Sequence, residues 1–268
     1  MTITNSSRAA ALIASGALAL SATVPTQVWA QAPALDPAAV QILKKTTDYL
    51  GGLQQFSVDT LNLLEEVLDS GQKIQVSVAA SVVLQRPNRL RAERKGDLVN
   101  QSWYYDGKTL TVYNSSVNYY ASEPAPATLE ETLDFARESL GLIIPTSDLV
   151  YRNAFPLLMQ DVTFAAVVGK AFVGGVKCDH LLFSRPGVDF QIWVPEMGEP
   201  LPLKYMVTDT GVAELVATIT LMSNWNLAPK TTDAMFTFVP PQGAKKTEFA
   251  PPDSWSTVYV LTPAGESK

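Results

Sequence analysis

Apolar and polar positions alternate with a period of two along most of this chain, and the period lengthens to that of a helix in only a few places. Between Gln75 and Gln85, residues Val76, Val78, Ala80, Val82 and Leu84 fall on one face and Gln75, Ser77, Ala79, Ser81 and Gln85 on the other, broken only by Val83. That spacing predicts a strand with one dry side and one wetter side. Turn signals recur at Asp69-Ser70-Gly71, Arg86-Pro87-Asn88, Lys95-Gly96-Asp97, Asp106-Gly107 and Asn114-Ser115. Asp106-Gly107, set between Trp103-Tyr104-Tyr105 and the run from Thr109 to Tyr113, reads as a hairpin. Five or six consecutive strands fit between Phe56 and Tyr120, and the intervals are too short for crossover helices, so the pairing is antiparallel. Further strands are predicted over 162–173, 176–184, 188–194, 203–208 and 213–225. Phe236-Thr237-Phe238-Val239 alternates into Pro240-Pro241 and reads as a closing strand that ends hard, because proline has no N–H for the ladder.

Helical spacing appears first after Asp36-Pro37, an N-cap with proline in the first turn. Val40, Leu43, Thr47 and Leu50 follow, and Gly51-Gly52 is expected to stop the helix. A second helix is predicted from Thr128 as N-cap, with Glu130 and Glu131 suited to its dipole, Leu129, Leu133, Ala136 and Leu140 as its stripe, and Gly141 as its end. The next stretch, Leu142-Ile143-Ile144-Pro145 and then Leu149, Val150, Tyr151, Phe155, Leu157, Leu158 and Met159, is apolar without clean amphipathicity and must be covered. It is either a helical layer in the ordinary core or a movable lid whose apolar face closes a cavity. The sum is a mainly β chain with helices (α+β): roughly eleven strands, two helical insertions, no internal repeat and no linker, hence one domain.

Composition adds a compartment. Met1 to Ala30 carries one cation, Arg8, then an uncharged apolar run over 9–24, then Pro25 and small residues at cleavage spacing, the pattern of a secretory signal peptide cut after Ala30 or Ala32. The run of about 16 residues is short for a bilayer span, so no integral membrane span is expected in the mature form. No cysteine near the cut offers a lipid anchor, and Cys178, the single cysteine, cannot form an internal disulfide. The domain expected is 31–268, with a helical insertion around 127–160 and a flexible tail after about 250. A net charge of −6, more acidic still without Arg8, argues against nucleic acid as a partner.

Candidate chemistry is thin. The sequence has no phosphate loop, no paired-cysteine zinc motif and no nucleophile elbow, and a single histidine, His180, cannot supply a multi-imidazole site; no cofactor, metal or catalytic residue is assigned. Cys178 and His180 share one strand face and are expected to be a structural pair, with the histidine bonded to a neighbour. The adjacent carboxylates Glu65-Glu66 and Glu130-Glu131 do not converge on one substrate and read as a solvated face or helix-start charge. Trp103, Trp193 and Trp225 could line a cavity or belong to the core.

Arg86-Pro87-Asn88-Arg89-Leu90, Asp106-Gly107-Lys108-Thr109-Leu110 and Phe236-Thr237-Phe238-Val239-Pro240-Pro241-Gln242-Gly243 resemble, in order, the three marks of the outer-membrane lipoprotein carrier family. The resemblance implies an unclosed antiparallel β-barrel, its concave face covered by helices, that holds acyl chains of lipid or lipoprotein in transit across the periplasm. It also implies an envelope membrane complex or acceptor protein as partner. Arg86 matches the arginine that holds the lid in that family, and Leu90 replaces its aromatic. Cys178-Asp179-His180-Leu181 and the stretch from Gln191-Ile192-Trp193 to Pro200-Leu201-Pro202 resemble predicted periplasmic proteins with a domain of unknown function. The residues expected to hold ligand are Arg86, Leu90, Trp103, Leu142, Ile143, Ile144, Phe155, Leu158 and Met159, with no enzyme activity. A stress-signalling regulator that recognises a polypeptide shares the fold and is the alternative.

Overall fold

The computed structural model describes residues 34–249 apart from Leu98 and Ile143; the signal peptide, the tail after about 250 and the candidate Ile143 lie outside the described residues. Six antiparallel strands follow one another as predicted: β1 (Gln55–Val67), β2 (Lys73–Gln85), β3 (Arg89–Gly96), β4 (Asn100–Tyr105), β5 (Thr109–Asn114) and β6 (Tyr119–Pro124). Five more, β7 (Phe164–Val173), β8 (Val176–Arg185), β9 (Val188–Pro195), β10 (Lys204–Asp209) and β11 (Ala217–Asn226), form a second antiparallel run. β11 pairs with β1, which joins the runs into one sheet of order β12-β6-β5-β4-β3-β2-β1-β11-β10-β9-β8-β7. Its ends, β12 and β7, are not neighbours, so the sheet is unclosed.

Alternation sets which face is dry. Leu84, Tyr105, Leu181, Phe183, Phe190 and Ile192 are almost wholly buried on the concave face, where each large apolar side chain contributes about 1.5–3 kcal/mol. The helices between residues 37 and 159 lie on this face. In α1 (Pro37–Gly52) the Asp36 carboxylate accepts from the Ala38 amide, and Leu43 and Leu50 are buried. Both glycines belong to the helix rather than stopping it. A Cβ on Gly51 would sit 2.2 Å from the Arg152 carbonyl oxygen, so the helix end is pressed against that backbone. α2 (Leu129–Glu138) starts at Thr128, whose hydroxyl accepts from the Glu131 amide and bonds the Glu131 carboxylate; Leu129, Leu133 and Ala136 are buried. A 3-10 turn (Ser147–Leu149) and α3 (Ala154–Met159) follow, and α3 packs on α1.

Two further readings of the sequence are corrected. The segment from Phe236 is not a closing strand: Phe236 ends the short helix α4 (Asp233–Phe236), and the chain crosses the convex face without joining a ladder. Phe238 packs on Tyr104, Tyr113 and Tyr120 at ring separations of 5.0–5.6 Å. Aromatic packing satisfies that alternation without a ladder, and Pro240-Pro241 withholds the amides a strand would need. The terminal strand is instead β12 (Lys245–Thr247), parallel to β6, so the sheet is mixed. The strand predicted from 213 begins at Ala217, because Leu215 takes a left-handed φ of 49° in an exposed turn.

Candidate functional site

Arg86 closes the turn after β2, and its side chain is wholly buried. Nε donates to the Leu53 carbonyl at 3.1 Å, at the end of α1. One terminal nitrogen meets the Glu130 carboxylate of α2 at 2.8 Å, and the other donates to the Val150 carbonyl. Burial lowers its pKa and Glu130 opposes that shift; the guanidinium stays charged. Glu130 also accepts from the Arg152 amide at 3.2 Å, so one ion pair pins both flanks of Tyr151. Sequence reasoning gave Glu130 only a helix-start role. Its use by Arg86 comes from a pairing 44 residues apart, for which the local pattern carries no signal.

The backbone held this way roofs a cavity of about 110 Å³ between segment 144–150 and the concave face of β1–β4. Leu50, Phe56, Val58, Val82, Leu90, Ala92 and Trp103 form its apolar part, Ile144, Leu149 and Val150 its roof, and Met222 and Trp225 one side. Thr60, Asn62 and Arg94 add polarity at one end. Tyr151, just past the roof, donates its hydroxyl to Asp134 at 2.6 Å, and Asp134 also pairs with Arg137 at 2.6 Å. Burial first, and the Asp134 hydrogen bond next, push the Tyr151 pKa up to about 12. Among the described residues no group of three His, Cys, Asp or Glu side chains could hold a metal ion, and no helix is long and apolar enough to cross a membrane.

A match to a family of predicted periplasmic proteins, DUF2092, spans residues 39–250. The chain belongs to that family. No curated protein matches it. Among solved structures it is similar to LprF from Mycobacterium bovis, at 14% identity and a TM-score of 0.47 over 79% of this chain and 99% of that one. It is also similar to a LolA superfamily protein from Nitrosomonas europaea, at 14% identity and a TM-score of 0.37 over 75% and 97%. The MucA/MucB complex of Pseudomonas aeruginosa gives 14% identity and a TM-score of 0.41 over 75% and 61%. Likenesses this distant carry nothing about function.

Of the residues singled out from sequence, Leu90, Trp103 and Ile144 come together at the cavity of this DUF2092 protein. Arg86 stands outside the lining and holds the roof. Leu142 is buried and lines a neighbouring depression, while Phe155, Leu158 and Met159 lie on α3, against α1 and the core rather than at the cavity. Of the three tryptophans, Trp103 and Trp225 line it; Trp193 stacks on His180 with ring centroids 4.2 Å apart. His180 bonds Gln191 at 2.8 Å and Cys178 donates to the Val176 carbonyl, so the two are not bonded to each other. Thr60, Asn62, Arg94 and Met222 escaped the sequence reading. The period-two pattern places Thr60 and Asn62 on the face of Phe56 and Val58, and that signal was available once β1 was given a register.

Proposed function

We propose that this protein is a periplasmic binder or carrier of lipid or lipidated protein, taking an acyl chain between the concave sheet and segment 144–150. The carrying observation is an apolar cavity whose roof is held by backbone carbonyls and one buried arginine. Each methylene removed from water contributes about 0.8 kcal/mol, so affinity needs no catalytic group, and none is assigned. At about 110 Å³ the cavity is smaller than the roughly 150 Å³ that holds one benzene ring, so a chain of a dozen carbons enters only if the roof moves. Arg86 is the latch in this reading: its bonds to Val150 and Glu130 set the free-energy gap between shut and open, which a donor or acceptor protein could tip.

The test is lipid extraction and mass spectrometry of protein purified from the periplasm, together with uptake of a fluorescent fatty acid. Co-purified lipid or saturable uptake is expected. A lipid-free preparation that also takes up no fatty acid overturns the reading.

One observation favours a polypeptide ligand instead, in a sensor of envelope stress. β7 is a sheet edge, and Val168 and Phe172 on it are 54% and 72% exposed, an arrangement open to strand addition. A co-purifying peptide without lipid would favour that alternative.

A further inference from the structure

β7 is satisfied as an edge over only part of its length. In its first half Ala165 exchanges main-chain bonds with Ala34 and Asp36, and the Asp36 carboxylate takes the Val167 amide. Past the bulge between Val167 and Gly169 the ladder with β8 resumes and runs to Val173, which faces Val176 across Gly174-Gly175. Both glycines have a left-handed φ, 55° and 83°, the geometry of a two-residue hairpin whose closing pair is hydrogen-bonded. An antiparallel ladder alternates such pairs with pairs whose N–H and C=O point away, so Lys170 and Phe172 turn theirs to the outer edge. Among the described residues no strand lies on that side.

The side chains beside these groups do not guard them. Phe172 and Val168 are exposed apolar surface, and Lys170 is already held by Asp179 at 2.6 Å and Glu196 at 3.1 Å. Of the devices that protect a natural edge, charge, proline and cover, this stretch has one lysine, and that lysine is paired. The chain itself holds a segment suited to such an edge. Trp255-Ser256-Thr257-Val258-Tyr259-Val260-Leu261-Thr262, outside the described residues, is almost wholly β-branched or aromatic. No charge falls over 254–265, and Pro251-Pro252 before the segment and Pro263 after it would end pairing on both sides. Eight extended residues cover about 26 Å, more than the roughly 17 Å of 169–173.

Reach decides whose edge it meets. From Thr247, the end of β12, the chain gains at most about 28 Å by Trp255. β12 and β7 are opposite edges of a 12-stranded sheet, about 50 Å apart measured along it, and α1, α2 and α3 fill the concave side between them. The β7 of a second copy sets no such limit. We propose that segment 255–262 of one copy adds as a strand to the outer edge of β7 in another, along 169–173. The contact is heterologous, so it builds open chains of copies rather than a closed dimer. It is independent of the lipid-binding reading, since β7 takes no part in the cavity lining.

The experiment is sedimentation velocity of the purified protein over a concentration series, with hydrogen–deuterium exchange measured at its two ends. Dimers and longer species that grow with concentration are expected, together with slower exchange over 169–173 and 255–262. Val258→Pro removes an amide from the middle of the added strand. It should weaken association at least about tenfold and abolish both protections. Ala264→Pro lies past Pro263 and should leave association as it is. A protein that stays monomeric at the highest concentration overturns the inference. Association that Val258→Pro leaves unchanged overturns it as well, and protection confined to 169–173 would then mean that two β7 edges pair with each other.

Discussion

Arg86 shows how a single residue can be visible in a sequence and its work invisible. The Arg-Pro pair and the turn it makes were legible, and so was the resemblance that gave the arginine a lid-holding role. Its three partners were not, because Leu53, Glu130 and Val150 come from three separate elements and share no local pattern. The same holds for Leu158. It reads as a lid residue because its neighbours are apolar, yet it is 1% exposed in the core. For Arg86→Gln we expect a loss of about 2–3 kcal/mol, since two carbonyls and a carboxylate lose a buried donor; the loss is reduced because the Glu130 side chain is 25% exposed. Melting should fall by roughly 4–10 °C. Glu130→Gln keeps an oxygen for the guanidinium and should lose only about 1 kcal/mol. Equal losses in calorimetry would place the weight on the ion pair rather than on the carbonyls.

At the scale of elements, legibility followed periodicity. The number of long strands and the places of both main helices roughly follow the alternation, apart from the later start of β11 at Ala217, because burial on one face enforces a period of two or of nearly four. The region from 142 to 159 has no period, since it packs against helices on one side and the sheet on the other, and only tertiary contacts settle its short turns. The Phe236–Phe238 alternation misled for the opposite reason: a chain lying on Tyr104, Tyr113 and Tyr120 can bury alternate aromatics as well as a strand can. The tie between this roof and α2 gives a pH signature. The folded pKa of Tyr151, about 12, lies above the ordinary value of 10.0, so its stabilisation is complete below pH 10 and is lost as pH rises from 10 to 12. Burial raises Tyr105 and Tyr205 as well and acts in the same direction. Thermal melts should be flat in this respect up to pH 10 and then fall. Tyr151→Phe should lower stability by about 1 kcal/mol at pH 8 through the lost Asp134 hydrogen bond. It should also decline less steeply above pH 10, and a slope identical to that of the unmodified protein would assign the alkaline loss to the other tyrosines.

For the whole molecule, the pairing of β1 with β11 was beyond the sequence, since it joins residues more than 150 positions apart, and on it depend both the single sheet and the part of the cavity wall made by Asn62 and Met222. An unclosed sheet also has two edges to protect. At one, β12 is three residues long and carries Lys245 and Lys246, a short charged edge. The other, β7, is protected over part of its length. Ala165 donates to the Ala34 carbonyl and accepts from the Asp36 amide, and the Val167 amide donates to the Asp36 carboxylate. Farther along, a bulge between Val167 and Gly169 interrupts the ladder with β8, and Phe172 stands 72% exposed. The one lysine within β7, Lys170, is drawn onto Asp179 at 2.6 Å and Glu196 at 3.1 Å, so its charge does little to repel another strand. Phe172→Lys would add an unneutralised cation at that edge without touching the cavity. In concentrated solution at neutral pH, light scattering and gel filtration should show less self-association for this variant than for the unmodified protein, with the same melting temperature. If the two associate equally, β7 is not the edge through which copies meet.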